Sequence, residues 1–368
     1  MGESGYPSTR ALPSAKPSGR GETGPLSRFK FAPADNPRGG TYRPARAIRG
    51  GFARMYQSHF GLRQRPFRST PDRAAYYPAT GHEECLHRLQ RAISDDEPIA
   101  LLVGEPGTGK TLLAAQLLER LGEDVSRVFV TNGHLLRRSD LFQAILYDLG
   151  LPYEGRGEQE LRLALTDRLL ADFAAGKRTI IVIDEAHHLP ADLLEELRLL
   201  GNLETQQGRT VQTVLIAQTP ILETLRRPDL RALAQRLTVR AELGQLTTDE
   251  AADYVLHHLR VAGARPEALI DDEALGLLAR GSGGLPRVIN QAAHLALALT
   301  CDAGAGRVEA EGILEAFGRL GIEIPDDEAD GETEPPTVLV EPQPESDHAW
   351  PPAGYLMPGP LRGLRNAE

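Results

Sequence analysis

The sequence predicts an α/β domain with a five-stranded parallel sheet, followed by a small all-helical domain. Three observations carry this. Apolar runs rich in β-branched residues alternate with amphipathic helical segments, the pattern of strands buried on both faces. The first run, Ile99 to Val103, ends in Gly104-Glu105-Pro106-Gly107-Thr108-Gly109-Lys110-Thr111, and a helix-forming segment follows at once. After Gly244 only helical periodicity remains, through four successive segments.

The loop at 104–111 reads G-x-x-x-x-G-K-[ST] in the strand–loop–helix context such a motif needs. A triphosphate requires many hydrogen-bond donors at short range. Gly104, Gly107 and Gly109 lack a Cβ, so the backbone is expected to take positive φ and bring its N–H groups onto phosphate oxygens. The helix starting near Lys110 aims its positive dipole end at the same anion. Lys110 suits the β- and γ-phosphates, and the Thr111 hydroxyl suits Mg²⁺. The predicted nucleotide-binding stretch therefore runs through Gly104, Glu105, Pro106, Gly107, Thr108, Gly109, Lys110, Thr111 and Leu112. Between residues 55 and 321 there are 27 arginines but only two lysines, Lys110 and Lys177. A lysine at this slot, against that bias, fits the need for a compact point charge.

The remaining elements follow in order. Residues 55–96 begin aromatic and basic and end in a helix from about His82 to Ile93. Tyr56, Phe60, Phe67, Tyr76 and Tyr77 are expected to pack this segment onto the α/β domain, some of them lining an adenine pocket in the alternative reading. Helices are expected at 110–121, 140–149 and 158–175, with a short strand at 128–131. Thr179 to Ile183 is a buried strand, and Asp184-Glu185 stand at its C-terminal end, where α/β folds gather ligands. Asp184 is the expected Mg²⁺ partner and Glu185 the expected base for an attacking water. His187 and His188 are read as supporting or surface residues, since an isolated His pair makes no metal site. A helix at 192–203 precedes the strand Thr210 to Ala217, which ends in Gln218. That side chain either reaches between the acidic pair and the γ-phosphate or caps the turn at Pro220. Leu230 to Leu243 reads as a helix running into a fifth strand, with Arg231, Arg236 and Arg240 along it. Arg236, at the junction, is the choice for a guanidinium reaching a neighbouring subunit's phosphates.

Helices at 247–261, 271–280, 286–300 and 308–320 make the second domain. Arg287 falls in the first turn of the third. A cation is poorly placed at a helix N-terminus unless an anion lies nearby, and a bound phosphate supplies one.

The chain has 368 residues, room for roughly two domains. Its net charge of −10 is unevenly spread. Residues 1–54 carry ten Lys and Arg against three Asp and Glu, and residues 322–368 carry two against eleven. Both ends are rich in Gly, Pro and charge and read as disordered. The basic head is a solvated tail or a DNA-binding arm, and Met55 is an alternative start to Met1. The acidic remainder argues against wholesale coating of nucleic acid. Cys85 and Cys301 have neither metal-ligand nor CxxC spacing, so two structural thiols in a reducing compartment are expected. No apolar run approaches the ~18 residues of a membrane span, and the chain reads as cytoplasmic.

The order of parts resembles the AAA+ ATPases among the P-loop NTPases. It is similar in particular to the general secretion pathway protein A (ExeA-like) family, through MYQSHFGLRQRPFRSTPD at 55–72, the phosphate loop, IIVIDEAHHL at 180–189 and GGLPRVINQAAHLAL at 283–297. TniB-like transposon ATPases share the same core. The resemblance implies ATP and Mg²⁺ as cofactors and a homo-oligomer with shared sites. It implies Walker A roles for Lys110 and Thr111, and Walker B roles for Asp184 and Glu185. Gln218 matches sensor 1, Arg236 the arginine finger and Arg287 sensor 2. The partner it implies is a secretion or envelope component, or else DNA. The domains so read are an N-terminal segment at 55–96, an ATPase base at 97–244 and a helical lid at 245–321. Two departures stand out: Ala217-Gln218-Thr219-Pro220-Ile221 replaces the family's Gly-Gln-Pro-Glu-Leu, and an acidic tail stands where secretion members continue into a membrane span.

Overall fold

The computed structural model describes residues 56–131, 135–205 and 208–323. The basic head, Met55 and the acidic tail from residue 324 lie outside the described residues.

Five strands form one parallel sheet: β1 (Ile99–Gly104), β2 (Val125–Val130), β3 (Arg178–Ile183), β4 (Val211–Ala217) and β5 (Leu237–Leu243). Their order is β2-β3-β4-β1-β5. Every residue of β1 and β4 is buried, which explains their unbroken apolar character. The register aligns the C-terminal ends: Val103 pairs with Ala217, and Ile183 with both Leu215 and Val130. This alignment decides where the chemistry sits. The loops leaving β1, β3 and β4 emerge side by side, with the end of β4 between the other two.

Helices α1 (Thr80–Ser94), α2 (Lys110–Arg120), α3 (Arg138–Asp148), α4 (Glu158–Ala174) and α5 (Ala191–Leu200) belong to this domain, with the short α6 (Ile221–Leu225) and α7 (Arg231–Arg236). One core joins β1, β2, β3 and β4 to α3, α4 and α5 through side chains such as Leu101, Phe142, Leu165, Ile181 and Leu197. Each such side chain contributes about 1.5–3 kcal/mol by leaving water. Helix α5 ends three residues earlier than the sequence suggests. Gly201 caps it, and residues 204–205 pair with 208–209 in a short antiparallel ladder.

The second domain holds α8 (Thr248–Val261), α9 (Pro266–Leu269), α10 (Asp272–Gly281), α11 (Pro286–Asp302) and α12 (Ala310–Leu320). Its starts are well specified. Thr247 and Glu250 form a capping box on α8, the Asp271 carboxylate caps α10, and Pro286 opens α11. Glu250 also accepts the backbone N–H of Thr80 at 2.9 Å, so one carboxylate serves the first turns of both α8 and α1.

The N-terminal aromatic segment corrects an expectation. Tyr56, Phe60, Phe67 and Tyr77 pack on the helical domain, within the core of α8, α10, α11 and α12, rather than on the α/β domain. The reason is partner chemistry: this segment meets a wall of histidines and tyrosines. The Tyr56 hydroxyl donates to His294 Nδ1 at 3.0 Å, and His258 Nδ1 donates to the Pro66 carbonyl at 3.1 Å. The Arg63 N–H donates to the Ala262 carbonyl. Tyr76 alone turns the other way, donating to Glu83 beside Arg120.

Cys85 and Cys301 are both free thiols. No described helix is long and apolar enough to cross a membrane.

The histidine wall makes stability depend on acid. Burial pushes His258 and His294 down to about 4, against 6.5 in the unfolded chain. Between those values the unfolded state binds protons that the folded state refuses, so stability falls as pH drops from 6.5 toward 4. Thermal unfolding should show this loss, and His258→Asn with His294→Asn should flatten the slope in that window while leaving it unchanged above pH 7.

Candidate functional site

The aligned strand ends gather the phosphate loop, the acidic pair and Gln218 along one edge. Helix α2 begins at the loop with Gly109 as its N-cap and no side chain capping it. Its first N–H groups have no partner within the helix, which leaves donors facing the cradle.

The glycines split into two kinds. Gly107 and Gly109 adopt positive φ, at 96° and 101°. Gly104 does not, contrary to the expectation from the motif. Its need is close approach: a Cβ there would stand 2.5 Å from the Leu243 carbonyl of β5.

Lys110 is buried, and its ammonium donates to the carbonyls of Gly104 at 2.9 Å and Glu105 at 2.6 Å. Burial pulls its pKa down, while Glu185 and Asp184 oppose that. The Thr111 hydroxyl donates to Asp184 Oδ2 at 2.7 Å, and the Glu185 N–H donates to Oδ1 at 2.9 Å. Asp184 is only 4% exposed, and burial raises its carboxyl above the usual range. Two hard oxygen donors therefore meet beside a buried cation, a set that suits Mg²⁺ and phosphate together.

Glu185 sits in the left-handed region, at φ 54° and ψ 37°. Such strain on a non-glycine residue costs on the order of 1–3 kcal/mol and is found where function over-determines the backbone. It turns the chain sharply out of β3 and leaves the carboxylate half-buried at the edge. Gln218 donates its side-chain amide to Glu185 Oε2 at 3.3 Å. That contact sets the Gln218 side chain against one member of the acidic pair. His187 and His188 follow in a short 3-10 turn. One ligand atom each from Glu185, His187 and His188 lies within 4.8 Å of the others, so the pair is less isolated than the sequence suggests.

The helical domain reaches the loop through the backbone of Arg287, whose main-chain N–H donates to the Gly107 carbonyl at 3.2 Å. A Cβ on Gly107 would stand 2.9 Å from the Arg287 Cβ. Arg236 ends α7, and its Nη1 is buried without a hydrogen-bond partner.

One supporting residue escaped the sequence reading. His82 is buried on α1 and its Nε2 donates to the Thr108 carbonyl at 2.9 Å. Burial lowers its pKa, so the ring is neutral. In a trans peptide the C=O and the next N–H point oppositely. Holding the Thr108 carbonyl back therefore turns the Gly109 N–H toward the cradle. The available signal was a histidine on the apolar face shared by Cys85, Leu86 and Leu89.

Residues 90–225 match the AAA domain family. Over 237 residues the chain is 41% identical to general secretion pathway protein A of Aeromonas hydrophila, covering 64% of this chain and 43% of that protein. It thus spans less than half the length of that relative. Over 238 residues it is 27% identical to the ATP-dependent target DNA activator B of Escherichia phage Mu, covering 64% of this chain and 70% of that one. Among solved structures, Cdc6p from Pyrobaculum aerophilum superposes with a TM-score of 0.57 at 18% identity, over 67% of this chain and 71% of that one. At that identity the likeness is one of fold.

Ionised Asp184 is costly here. Its raised pKa means that stability is lost as pH rises through the folded value. Asp184→Asn keeps an acceptor for the Glu185 N–H and a polar partner for Thr111. Without nucleotide it should be more stable than wild type at neutral pH in denaturant unfolding, and the difference should shrink as the pH is lowered.

Proposed function

We propose that the chain is an AAA+ ATPase related to general secretion pathway protein A, hydrolysing ATP between its α/β base and its helical lid. One observation carries the reading: Lys110, Thr111, Asp184, Glu185 and Gln218 converge at a single sheet edge, on which Arg287 closes from the lid. The loop N–H groups and Lys110 hold the β- and γ-phosphates. Thr111 and Asp184 would hold Mg²⁺, which would neutralise charge on the phosphate oxygens. Glu185 accepts a proton from water as that water's oxygen bonds to the γ-phosphorus and the bond to ADP breaks. Arg287 reports the phosphate to the lid.

The active form is a homo-oligomer. Arg236 stands at the junction of α7 and β5. In the assembly its guanidinium would stabilise charge on a neighbouring subunit's phosphate. The assembly works on the cytoplasmic side in secretion or cell-envelope assembly. Similarity to a protein whose name describes ATP-dependent activation of target DNA supports a second reading, a DNA-targeting ATPase. An ATPase assay with duplex DNA at several salt concentrations separates the two: stimulation that fades with salt favours DNA.

Glu185→Gln should bind ATP normally and turn over at least ~100-fold slower in steady-state assays. Wild-type turnover would remove Glu185 from its role. Arg236→Ala and Lys110→Ala should each be inactive alone. Mixing the two should restore part of the activity, because some interfaces then pair an intact loop with an intact arginine. Absence of complementation in a mixed oligomer would place Arg236 outside the shared site.

A further inference from the structure

His187 links two elements that the site needs in register. It follows β3 in the turn that Glu185 opens. Its Nδ1 accepts the backbone N–H of Gln218, at the end of β4, at 3.3 Å. A backbone N–H can only donate, so Nδ1 carries no proton and the neutral ring keeps its proton on Nε2. That Nε2 stands 3.4 Å from Glu185 Oε2. The same oxygen accepts the Gln218 side-chain amide at 3.3 Å. Gln218, His187 and Glu185 thus close a ring: the backbone of Gln218 sets the imidazole, the imidazole faces the carboxylate, and the Gln218 side chain returns to that carboxylate.

We propose that His187 is a positioning residue for hydrolysis, holding Glu185 by Oε2 so that Oε1 is the atom that meets water. The proposal rests on the reading of Glu185 as the base. The ring fixes one carboxylate rotamer from two sides, which a single donor would leave free to swing. It also makes that rotamer depend on the relative position of β3 and β4. A shift of the β4 end, where Gln218 faces the nucleotide edge, is carried to the base through the imidazole without moving the phosphate loop. The effect therefore falls on turnover rather than on binding, since the hydrogen bonds of His187 go to Gln218 and Glu185 while those of Lys110 go to the loop carbonyls.

The two nitrogens can be separated by substitution. Asn reproduces a polar atom at the Nδ1 position, and Gln reaches the Nε2 position. Steady-state kcat and KM for ATP, equilibrium ATP affinity and melting temperature are measured on full-length His187→Ala, His187→Asn and His187→Gln. The expected result is a fall in kcat of about 10–100-fold for Ala and Asn, with KM and ATP affinity within about threefold. Gln should recover kcat to within about fivefold of wild type. Unchanged kcat in Ala overturns the proposal. Equal losses in Gln and Ala, or losses matched by falling ATP affinity, also overturn it and assign His187 a packing role. If Ala does not fold, the Gln and Asn pair decides: Gln must exceed Asn in kcat. Glu185→Gln run alongside separates the two levels. Slow turnover there with wild-type rates in all His187 variants sinks the positioning role alone, whereas normal turnover in Glu185→Gln sinks the reading beneath it.

Discussion

Burial of opposite charges at one sheet edge is the constraint around which this fold is arranged. Lys110 and Asp184 are both withdrawn from water, and burial works against the charged form of each. Hydrophobic collapse alone would not bring them there. What holds them is mostly backbone: two loop carbonyls on the ammonium, and one N–H on the carboxylate beside the Thr111 hydroxyl. Those groups come from the ends of β1 and β3 and the start of α2. The parallel register that aligns these ends is therefore a precondition of the site, and the buried apolar strands supply it.

A second layer of support comes from outside the sheet. His82 on α1 and Arg287 on α11 each engage a backbone carbonyl of the phosphate loop, at Thr108 and Gly107. A glycine-rich loop has high conformational entropy, and free it would sample many shapes. Two external hydrogen bonds narrow that range before any ligand arrives. The loop's shape is thus partly a property of its surroundings, one of which belongs to the lid.

The strands, the phosphate loop and the acidic pair were legible because their signals are local. Apolar runs mark β1, β3 and β4, and the motif residues sit within eight positions of one another. The helices starting near Thr247 and Asp271 were legible for the same reason, through local helical periodicity. What was not legible depends on distant partners. Tyr56 meets His294 across most of the described chain, and no periodicity announces that choice. His82 lies well before the loop it supports and reads as one polar residue on an apolar face. Gly104 looked like a conformational glycine but is a packing one, because its neighbour is β5. The early end of α5 follows from the ladder at 204–209, whose pairing outweighs a continuing helical pattern.

The chain passes between base and lid twice: between Tyr77 and Thr80, and again between Leu243 and Thr247. Glu250 pins those passages together by serving the first turns of α1 and α8 at once. Glu250 thereby ties the entry of the α/β domain to the entry of the helical domain through one side chain. A backbone nick in either passage would leave the two domains joined by the other passage and by Glu250.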